Sequence, residues 1–358
     1  MQGVTAGGSS AINFATAMPP PFPLFDAVGV DLRPALAAMQ AEVPMATLPD
    51  ALIGPAAMHL MRAAQALGHG WTKLDKMIHP ELCRAGCWRC VYGCPYGAKW
   101  TARTFLDDAV AAGAELVCGA TARRILHERQ AATGVEYGHQ NQLHQVFARR
   151  VVLAGGGIAS PQLLHASGLM ANGAAHFSDP VVAVMGTLPG LQAGAEVPMA
   201  GGMHLASEGI MLADMSLPRP MYQAFAMQVG RFDRLLAHRQ TLSLMVKIRD
   251  EIGGRIGPRW VNKSLLAGDK RRFQRGVDVA RSILAQAGAR RVFQSWHFAA
   301  HPGGSVRIGE GVDHNLQSPT RHLYVCDASV IPGAWGLPPT LTLLCLGKRL
   351  ADHLAGSA

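Results

Sequence analysis

The stretch "FARRVVLAGGGIASPQLLHASG" (residues 147–168) is the clearest structural signal in the chain. Its apolar run "VVLA" is typical of a buried strand, and the three glycines that follow it predict a tight turn. Ser160 and Pro161 predict the start of a helix, with proline at its first position. The stretch therefore predicts a strand, a turn and a helix in succession.

The same arguments predict elements on both sides of this stretch. Apolar residues at helical spacing, or a proline start, predict helices over 33–42, 55–67, 100–113, 268–287 and 338–355. Short apolar runs predict strands over 114–119 and 120–128, and a strand followed by a glycine turn over 321–333. Alternating polarity predicts an antiparallel sheet with one exposed face over 180–256. The opening residues predict a glycine turn that enters a helix over 1–17.

The composition is that of a globular enzyme, built as one large domain or as two interleaved domains. The 358 residues are 49% apolar and 16% charged, which excludes a disordered or fibrous chain. The net charge of +9 is spread along the sequence, and its densest group, at 268–276, lies on a predicted helix. No nucleic-acid reader motif accompanies the charge, so a nucleic-acid role is not expected, while an anionic substrate or partner stays open.

Neither a membrane span nor an export signal is predicted. Apolar runs are interrupted by proline, glycine or charge well before they reach the length of a transmembrane helix. The opening "MQGVTAGGSSAIN" lacks a basic segment followed by an apolar one. We therefore expect a cytoplasmic protein, and a reducing compartment favours metal sites or free thiols over disulfides.

Four of the seven cysteines fall in one short loop and are candidate metal ligands. The spacing of Cys83, Cys87, Cys90 and Cys94, with proline following, is C-x3-C-x2-C-x3-C-P. This differs from the bacterial ferredoxin run by one residue in the first gap, so we predict a candidate iron–sulfur cluster that passes electrons singly to an outside acceptor. Zinc and packed free thiols are the alternatives. The remaining cysteines are predicted to be small buried apolar residues: Cys118, Cys326 and Cys345.

Three separated stretches resemble the GMC (glucose–methanol–choline) flavoprotein oxidoreductases. They are "AGGSSAIN" (6–13), "AGGGIASPQLLHASG" (154–168), and the run from "HPGGSVRIG" at 301 through the last helix, in the order that the family has them. The resemblance implies an α/β fold of mixed type, in which an incomplete FAD-binding Rossmann-like domain is interleaved with an antiparallel-sheet substrate domain. The FAD-binding domain would comprise 1–20, 81–178 and 296–358, and the substrate-binding or cap domain 21–80 and 179–295.

One expected element of the family has no counterpart in the sequence. The family opens with a βαβ unit whose G-x-G-x-x-G turn holds the FAD pyrophosphate, and that unit belongs before residues 6–13. The triplet at 155–157 is not a substitute, because it belongs to the second of the three stretches. We expect the unit either on a partner polypeptide or on a longer form of this chain, and the remaining alternative is an inactive remnant.

The resemblance also implies a reaction and a base. Members of the family oxidise alcohols with FAD, and the histidine that opens the H-x-x-G motif, here His301, would accept the hydroxyl proton. His297 lies nearby but off the motif and is expected to be structural. Pro339 and Thr342 match the family's Pro-x-x-Thr, but Pro338 stands where most members have a polar residue, and proline offers no donor.

The remaining residue assignments also follow from the resemblance. The predicted FAD contacts are Gly7, Gly8, Ser10, Asn13, Ala122, Ala154, Gly155, Asp327, Ala328, Pro339 and Thr340. We expect a small-molecule alcohol substrate, which is apolar because methionine is frequent in the expected pocket segments at Met199, Met203, Met211, Met215, Met221 and Met227. We also expect a protein partner that supplies the nucleotide-binding unit or accepts electrons. The alternative function is an electron-relay subunit without catalysis of its own.

Overall fold

The structure is a computed structural model that describes residues 3–171 and 173–356. Its α-helices within these ranges are α1 (Phe22–Asp26), α2 (Arg33–Glu42), α3 (Pro55–Ala66), α4 (Arg103–Ala111), α5 (Gly156–Ala166), α6 (Arg219–Gln228), α7 (Ala267–Gln286) and α8 (Thr340–Gly356). Its strands are β1 (Thr72–Lys73), β2 (Thr121–Glu128), β3 (Ala131–His139), β4 (Gln142–Phe147), β5 (Val151–Leu153), β6 (Ala174–His176), β7 (Pro180–Thr187), β8 (Gly201–Leu205), β9 (Ile210–Asp214), β10 (Thr241–Ile248), β11 (Gly253–Ile256), β12 (Val261–Asn262), β13 (Arg290–Gln294), β14 (Phe298–Ala299) and β15 (Leu323–Val325). The predicted domain ranges also take in residues 1–2, 172 and 357–358, which lie outside the described residues, and the division into domains stays a prediction.

The largest sheet is antiparallel, as predicted for this part of the chain. Its strands follow the order β1-β8-β9-β10-β7-β13, and β14 also pairs with β7. The predicted exposed face is wrong, because every residue of β7, β9 and β10 is buried. Helices α3 and α7 pack on one face of these strands, and the second face lies against the core shared with the other half of the molecule.

Successive side chains along the strands of this sheet point to opposite faces and so belong to two separate hydrophobic cores. Val184, Leu212 and Leu244 face the helices α3 and α7, whereas Met211 and Met245 face the core shared with the rest of the chain. Met199 and Met215 are buried in that shared core. The predicted grouping of methionines holds only in part, because Met203 lies in the helix-covered core and Met227 is 49% exposed.

The smaller sheets form the rest of the fold. Strands β2, β3 and β4 form an antiparallel meander, β11 pairs with β6 on one side and β12 on the other, and β5 pairs with β15 in parallel. In the described part of the chain the β5–β15 sheet has two strands, and Val152 between its buried neighbours is 45% exposed. This pairing joins residues far apart in sequence and confirms the mixed α/β fold class.

Most of the predicted elements are present, and three predictions of where an element lies or begins are wrong. Helices α2, α3, α4, α7 and α8 and strands β2 and β15 lie where the sequence places them. Residues 114–119 form no strand, because Leu116 and Val117 are 47% and 41% exposed with no partner strand. The opening glycine turn leads into a single 3-10 turn, Gly8–Ala11, and not into a helix. No helix in the two described ranges is both long and apolar enough to cross a membrane.

Helix α5 starts earlier than the sequence indicates. It begins at Gly156, whose backbone N–H donates to Asp327 Oδ2 at 2.8 Å, so a carboxylate remote in sequence sets the start. Pro161 then lies inside the helix, where it has no N–H to donate to the carbonyl of Gly157. The hydroxyl of Ser305 donates to that carbonyl instead, at 2.9 Å. The third wrong prediction, proline at the first position of the helix, therefore failed because tertiary hydrogen bonds replaced local ones.

Candidate active site

The three stretches that carry the resemblance converge on one region. Asn13 Nδ2 donates to Thr340 Oγ1 at 3.0 Å, which joins the first stretch to the start of α8. Asp327 Oδ2 accepts from Gly156 N and from the hydroxyl of Ser160, which joins the end of β15 to α5. Residues remote in sequence therefore meet around the N-termini of α5 and α8.

The loop that carries His301 lies directly against α5. A Cβ added at Gly157 would lie 1.9 Å from the carbonyl oxygen of Pro302, so this position requires glycine. A Cβ added at Gly303 would lie 2.3 Å from the carbonyl oxygen of Ala328. Because backbone meets backbone on both sides, the position of His301 depends on the absence of side chains at these two glycines.

The polar side chains predicted to contact FAD are largely used within the protein. Ser10 Oγ donates to Gly7 O at 2.5 Å and accepts from Ala102 N at 2.9 Å. Asn13 Oδ1 accepts from Ala15 N at 3.0 Å, in addition to the bond that its amide makes. Asp327 Oδ1 accepts from Ser329 N at 2.8 Å, so both of its carboxylate oxygens are engaged. Asn13, Ser10 and Asp327 therefore fix the backbone of the site.

The remaining predicted contacts present backbone and small side chains. Gly7 and Gly8 adopt positive φ angles of 81° and 58°. A Cβ added at Gly8 would meet no atom within 4 Å, and the same holds for Gly156, so both positions face open space. Ala154 and Gly155 are exposed, Ala328 and Thr340 are half-buried, and Pro338 and Pro339 are buried. Ala122 is exposed on β2, a strand that bonds to the C-terminal end of α5 through Ser167.

His301 belongs to a cluster of three ionisable side chains. Its Nδ1 lies 2.6 Å from Asp179 Oδ2 and 3.0 Å from Lys247 Nζ. Lys247 Nζ also lies 2.6 Å from Asp179 Oδ2, and the Lys247 and Asp179 side chains are 1% and 0% exposed. The His301 side chain is 34% exposed, so it is the member of the cluster that meets the open region.

Several influences act on the protonation of His301. Burial lowers its pKa most strongly, and the Lys247 charge lowers it further, while the hydrogen bond that His301 donates to Asp179 and the Asp179 charge raise it. The net direction is downward from the ordinary value of 6.5. A neutral imidazole at neutral pH has a free lone pair and can therefore accept a proton.

The sequence did not predict Asp179 or Lys247. Neither residue belongs to a motif, and they lie 122 and 54 positions from His301. The available signal was Lys247 itself, because it is a charged residue inside the apolar run "LSLMVKI". Charged residues are rarely buried unless they are paired, so a lysine at a buried strand position predicts a partner.

The cysteine loop lies against the first glycine turn. Lys99 Nζ donates to the carbonyls of Ala11, Asn13 and Cys90 at 2.7, 3.0 and 2.8 Å. A second buried lysine, Lys76, donates to Phe14 O, to Pro198 O at 2.9 Å and to a further carbonyl. Through these bonds the two ammonium groups hold the backbone of residues 11–14 in place.

The predicted metal ligands are not assembled as a metal site. Among residues 3–171 and 173–356, no group of three or more histidine, cysteine, aspartate or glutamate side chains is arranged to hold a metal ion. A cluster on Cys83, Cys87, Cys90 and Cys94 is therefore not supported, and all seven cysteines are free.

The other cysteine predictions meet mixed outcomes. Cys345 is fully buried within α8, as predicted, and Cys326 is half-buried. Cys118 is exposed, so the prediction of a buried residue there is wrong. It follows residues that form no strand and have no sheet to cover them.

Comparison with known proteins identifies the family. The amino-terminal family model for GMC oxidoreductases matches residues 1–183, and the carboxy-terminal family model matches residues 237–347. The chain belongs to the GMC oxidoreductase family. In this GMC oxidoreductase chain, the first two of the three converging stretches lie within the first match, and the third begins within the second.

Individual relatives match parts of this GMC chain. A long-chain-alcohol oxidase of Arabidopsis thaliana is 25% identical over 350 residues, which cover 75% of this chain and 47% of the plant protein. An uncharacterized protein of Methanocaldococcus jannaschii is 24% identical over 287 residues, which cover 80% of this chain and 71% of the archaeal one. The chain thus spans about half the length of the plant oxidase.

Solved structures share the fold of this GMC chain. Pyridoxine 4-oxidase from Mesorbium loti superposes on this chain with a TM-score of 0.76 at 18% sequence identity. The superposition covers 99% of this chain and 84% of the pyridoxine 4-oxidase chain. A formate oxidase variant from Aspergillus oryzae, made to follow FAD modification, gives 0.74 at 15% identity, with coverage of 99% and 84%. At these identities the likeness concerns the fold.

Proposed function

We propose that this chain forms the catalytic region of an FAD-dependent oxidoreductase that acts on CH–OH groups. The observation that supports it is the meeting of the first stretch, α5 and α8 around the loop of His301. Asn13, Gly157 and Ser305 hold these segments together through contacts of backbone and side chain. Membership of the GMC oxidoreductase family supports the same reaction class.

The residues present fit a bound FAD. Gly8 and Gly156 face open space that a side chain would fill, and both adopt positive φ. The exposed backbone at Ala154 and Gly155 would lie along the nucleotide, and Gly7 and Gly8 would lie beside the ring system. The N-terminus of α8, at Pro339 and Thr340, would offer its positive dipole end to a ring that gains negative charge.

His301 would act as the base of the reaction. Bound FAD would supply the acceptor for a hydride, which carries one proton and two electrons away from the alcohol carbon. His301 accepts the remaining hydroxyl proton, so that an alcohol becomes a carbonyl compound with electrons and protons balanced. Pro338 stands where most members of the family have a polar residue, and proline offers neither a donor nor a proton acceptor in its side chain, so His301 is the proposed proton acceptor.

We propose that a further nucleotide-binding unit completes the β5–β15 sheet, either from a partner chain or from sequence beyond these residues. Parallel sheets are normally covered on both faces and contain several strands. Here the described sheet has two strands, and Val152 is 45% exposed. In this proposal the FAD-binding domain comprises 1–20, 81–178 and 296–358, and the cap domain 21–80 and 179–295.

The substrate is proposed to be an apolar alcohol. The long-chain-alcohol oxidase relative supports this class. Met211 and Met245 lie on the same sheet face as Lys247, which contacts His301. Flexible thioether side chains suit an adaptable apolar surface. Passage of electrons to an external acceptor and a cytoplasmic location stay predictions from the sequence.

Flavin loading and bleaching test this function. Purified protein titrated with FAD is expected to quench flavin fluorescence, and anaerobic addition of a long-chain primary alcohol is expected to bleach the bound flavin. His301→Gln is expected to bind FAD with unchanged affinity and to bleach about 10²- to 10⁴-fold more slowly, because the base is lost. His297→Gln is the matched control, because His297 is exposed and outside the cluster.

Two results would contradict the proposal. A protein that gains no FAD at saturating concentration, tested both alone and with a partner that co-purifies, is not a flavoenzyme. A His301→Gln variant that bleaches at the rate of the parent protein would show that another group takes the proton.

A further inference from the structure

A fully buried ion pair lies directly behind His301, and the family resemblance did not predict it. Asp179 and Lys247 form the pair at 2.6 Å, and both also approach His301 Nδ1. Burying two charges costs free energy unless they are paired and hydrogen-bonded. Asp179 Oδ1 is buried and has no hydrogen-bond partner, so the free-energy cost of burying this carboxylate is only partly offset.

We propose that Asp179 and Lys247 are positioning residues for His301: Asp179 fixes the imidazole with its lone pair on Nε2, and Lys247 balances the Asp179 charge so that the imidazole stays neutral. The inference rests on the proposed role of His301 as base. It deepens that role because it assigns separate tasks to the two buried charges.

The tautomer follows from the donors and acceptors that meet at Nδ1. A carboxylate accepts hydrogen bonds and an ammonium only donates them. Nδ1 lies 2.6 Å from Asp179 Oδ2, a distance that requires a proton between the two atoms. If Nδ1 instead accepted from Lys247, two lone pairs would face each other at that distance. Nδ1 therefore carries the proton, and the lone pair is on Nε2.

The charge balance explains why the aspartate is accompanied by a lysine. An aspartate alone would favour the imidazolium and raise the pKa of His301. Burial lowers the pKa of His301 most strongly, and the Lys247 charge lowers it further. Together they outweigh the effect of Asp179, so that the net direction of the pKa is downward. Behind this layer Asp250 accepts from the backbone N–H of Asp179 at 2.9 Å, and Lys263 pairs with Asp250 at 3.1 Å.

The sheet brings the three side chains together. Lys247 lies opposite Val181 in the β10–β7 register, and Phe298 of β14 lies opposite the same residue from the other side of β7. Ala300 N donates to Asp179 O at 3.2 Å, just before His301. Asp179 itself has a φ of 50°, a left-handed conformation that aspartate and asparagine tolerate better than most residues.

The pH profile of kcat/KM in the FAD-loaded enzyme distinguishes positioning from structure. In Lys247→Met the unopposed Asp179 charge is expected to move the acid limb to higher pH by about one unit or more. In Asp179→Asn, which suits the same φ, the limb is expected to move to lower pH, and kcat/KM to fall about 100-fold as the imidazole loses its fixed orientation. The matched control Lys263→Met removes a paired ammonium one layer away and is expected to leave the limb in place.

A second readout needs no catalysis. Nitrogen-15 NMR of histidine-labelled protein, with His301 assigned by comparison with His301→Gln, is expected to report a protonated Nδ1 and an unprotonated Nε2. In the double variant Asp179→Asn with Lys247→Met, which buries no net charge and guards against misfolding of a single variant, the signal is expected to become a mixture of tautomers.

These readouts separate the two proposals. If His301→Gln leaves flavin bleaching unchanged, the proposed base is wrong, whereas the tautomer signal still tests the positioning. Two results would overturn the assignment of Asp179 and Lys247 as positioning residues. One is an acid limb of the pH profile that stays in place, or moves in the same direction, in both single variants. The other is a wild-type protein in which the lone pair of His301 is on Nδ1.

Discussion

Two regions of the molecule each contain a buried lysine beside a predicted functional motif, but the lysines meet different partners. Lys247 contacts a carboxylate and an imidazole, both of which can change protonation. Lys99, beside the cysteine loop, contacts three backbone carbonyls. Carbonyls take no part in proton transfer, so the first region can perform chemistry, while the second holds a backbone in place.

The difference shows which motif the structure supports as a site. The histidine motif gains ionisable partners that the sequence did not reveal, whereas the cysteine motif gains none that complete a metal site in the described residues. A substitution in the first region should therefore change turnover before it changes stability. A substitution in the second should change stability before it changes turnover.

Outside the cluster of His301, Asp179 and Lys247, the largest effect on turnover is expected from Gly157→Ala. The added Cβ would lie 1.9 Å from Pro302 O, so the loop of His301 must move. Displacement of a reacting group by about 1 Å commonly costs about 100-fold in rate. Stopped-flow measurement of flavin bleaching checks this loss, with the unfolding free energy expected to fall by only about 1–3 kcal/mol.

The matched control for this substitution is Gly347→Ala. Gly347 is also a helical glycine, but a Cβ there would meet no atom within 4 Å. Alanine at this position should stabilise the protein by about 0.5–1 kcal/mol and leave bleaching unchanged. Equal rates for both variants would show that the contact between α5 and the His301 loop does not position the base.

The next effect, on stability, is expected from Lys99→Met. Loss of the ammonium removes the donor from one buried and two part-buried carbonyls, at a cost of roughly 1–3 kcal/mol for each group that finds no water. Urea unfolding should therefore show a clear loss of stability, while the acid limb of the pH profile stays where it is. A shift of that limb would remove the contrast between the two lysines.

The stability that depends on Lys99 is also expected to vary with pH. Burial lowers the pKa of Lys99 from 10.5 to about 8 in the folded protein. Between these values the unfolded chain binds more protons at this group, so the stability of the parent protein should rise with pH relative to Lys99→Met. Below the folded pKa both states are charged, and the difference between parent and variant should be constant. Unfolding curves across this range test the sign.

The smallest effect is expected from Cys87→Ser. Cys87 is half-buried, and its loop provides no metal-ready group in the described part of the chain, so stability should change by about 0.5 kcal/mol or less. Thiol titration of the unfolded protein should count seven free cysteines, with no iron or zinc released. Release of either metal in proportion to protein would restore the cysteine loop as a metal site.

The parts of the fold that the sequence predicted are those determined by local patterns. Helices α2, α3 and α7 have apolar faces at helical spacing, and α8 follows a pair of prolines. The start of α5 was missed because Asp327, far along the chain, accepts from its first N–H. The false strand at 114–119 was a short apolar run, which by itself does not distinguish a strand from an exposed connection.

The residues of the site divide in the same way, into those that a local motif indicates and those that only long-range contacts bring in. His301, one of fifteen histidines, was predicted as the base from a local motif, and its role stays a prediction. Asp179 and Lys247 act through contacts across 122 and 54 positions, and no local spacing encodes such contacts. The resemblance predicted Ser10 and Asn13 as FAD contacts, and in the structure their side chains bond to backbone atoms of the protein itself.

The hydroxyl of Ser305, which donates to the carbonyl that Pro161 leaves without a partner, links two residues that share no sequence neighbourhood. Their identities should therefore co-vary among homologous chains. Where position 161 regains an N–H, position 305 is released from its need for a hydroxyl donor, and a proline without that serine should be rare.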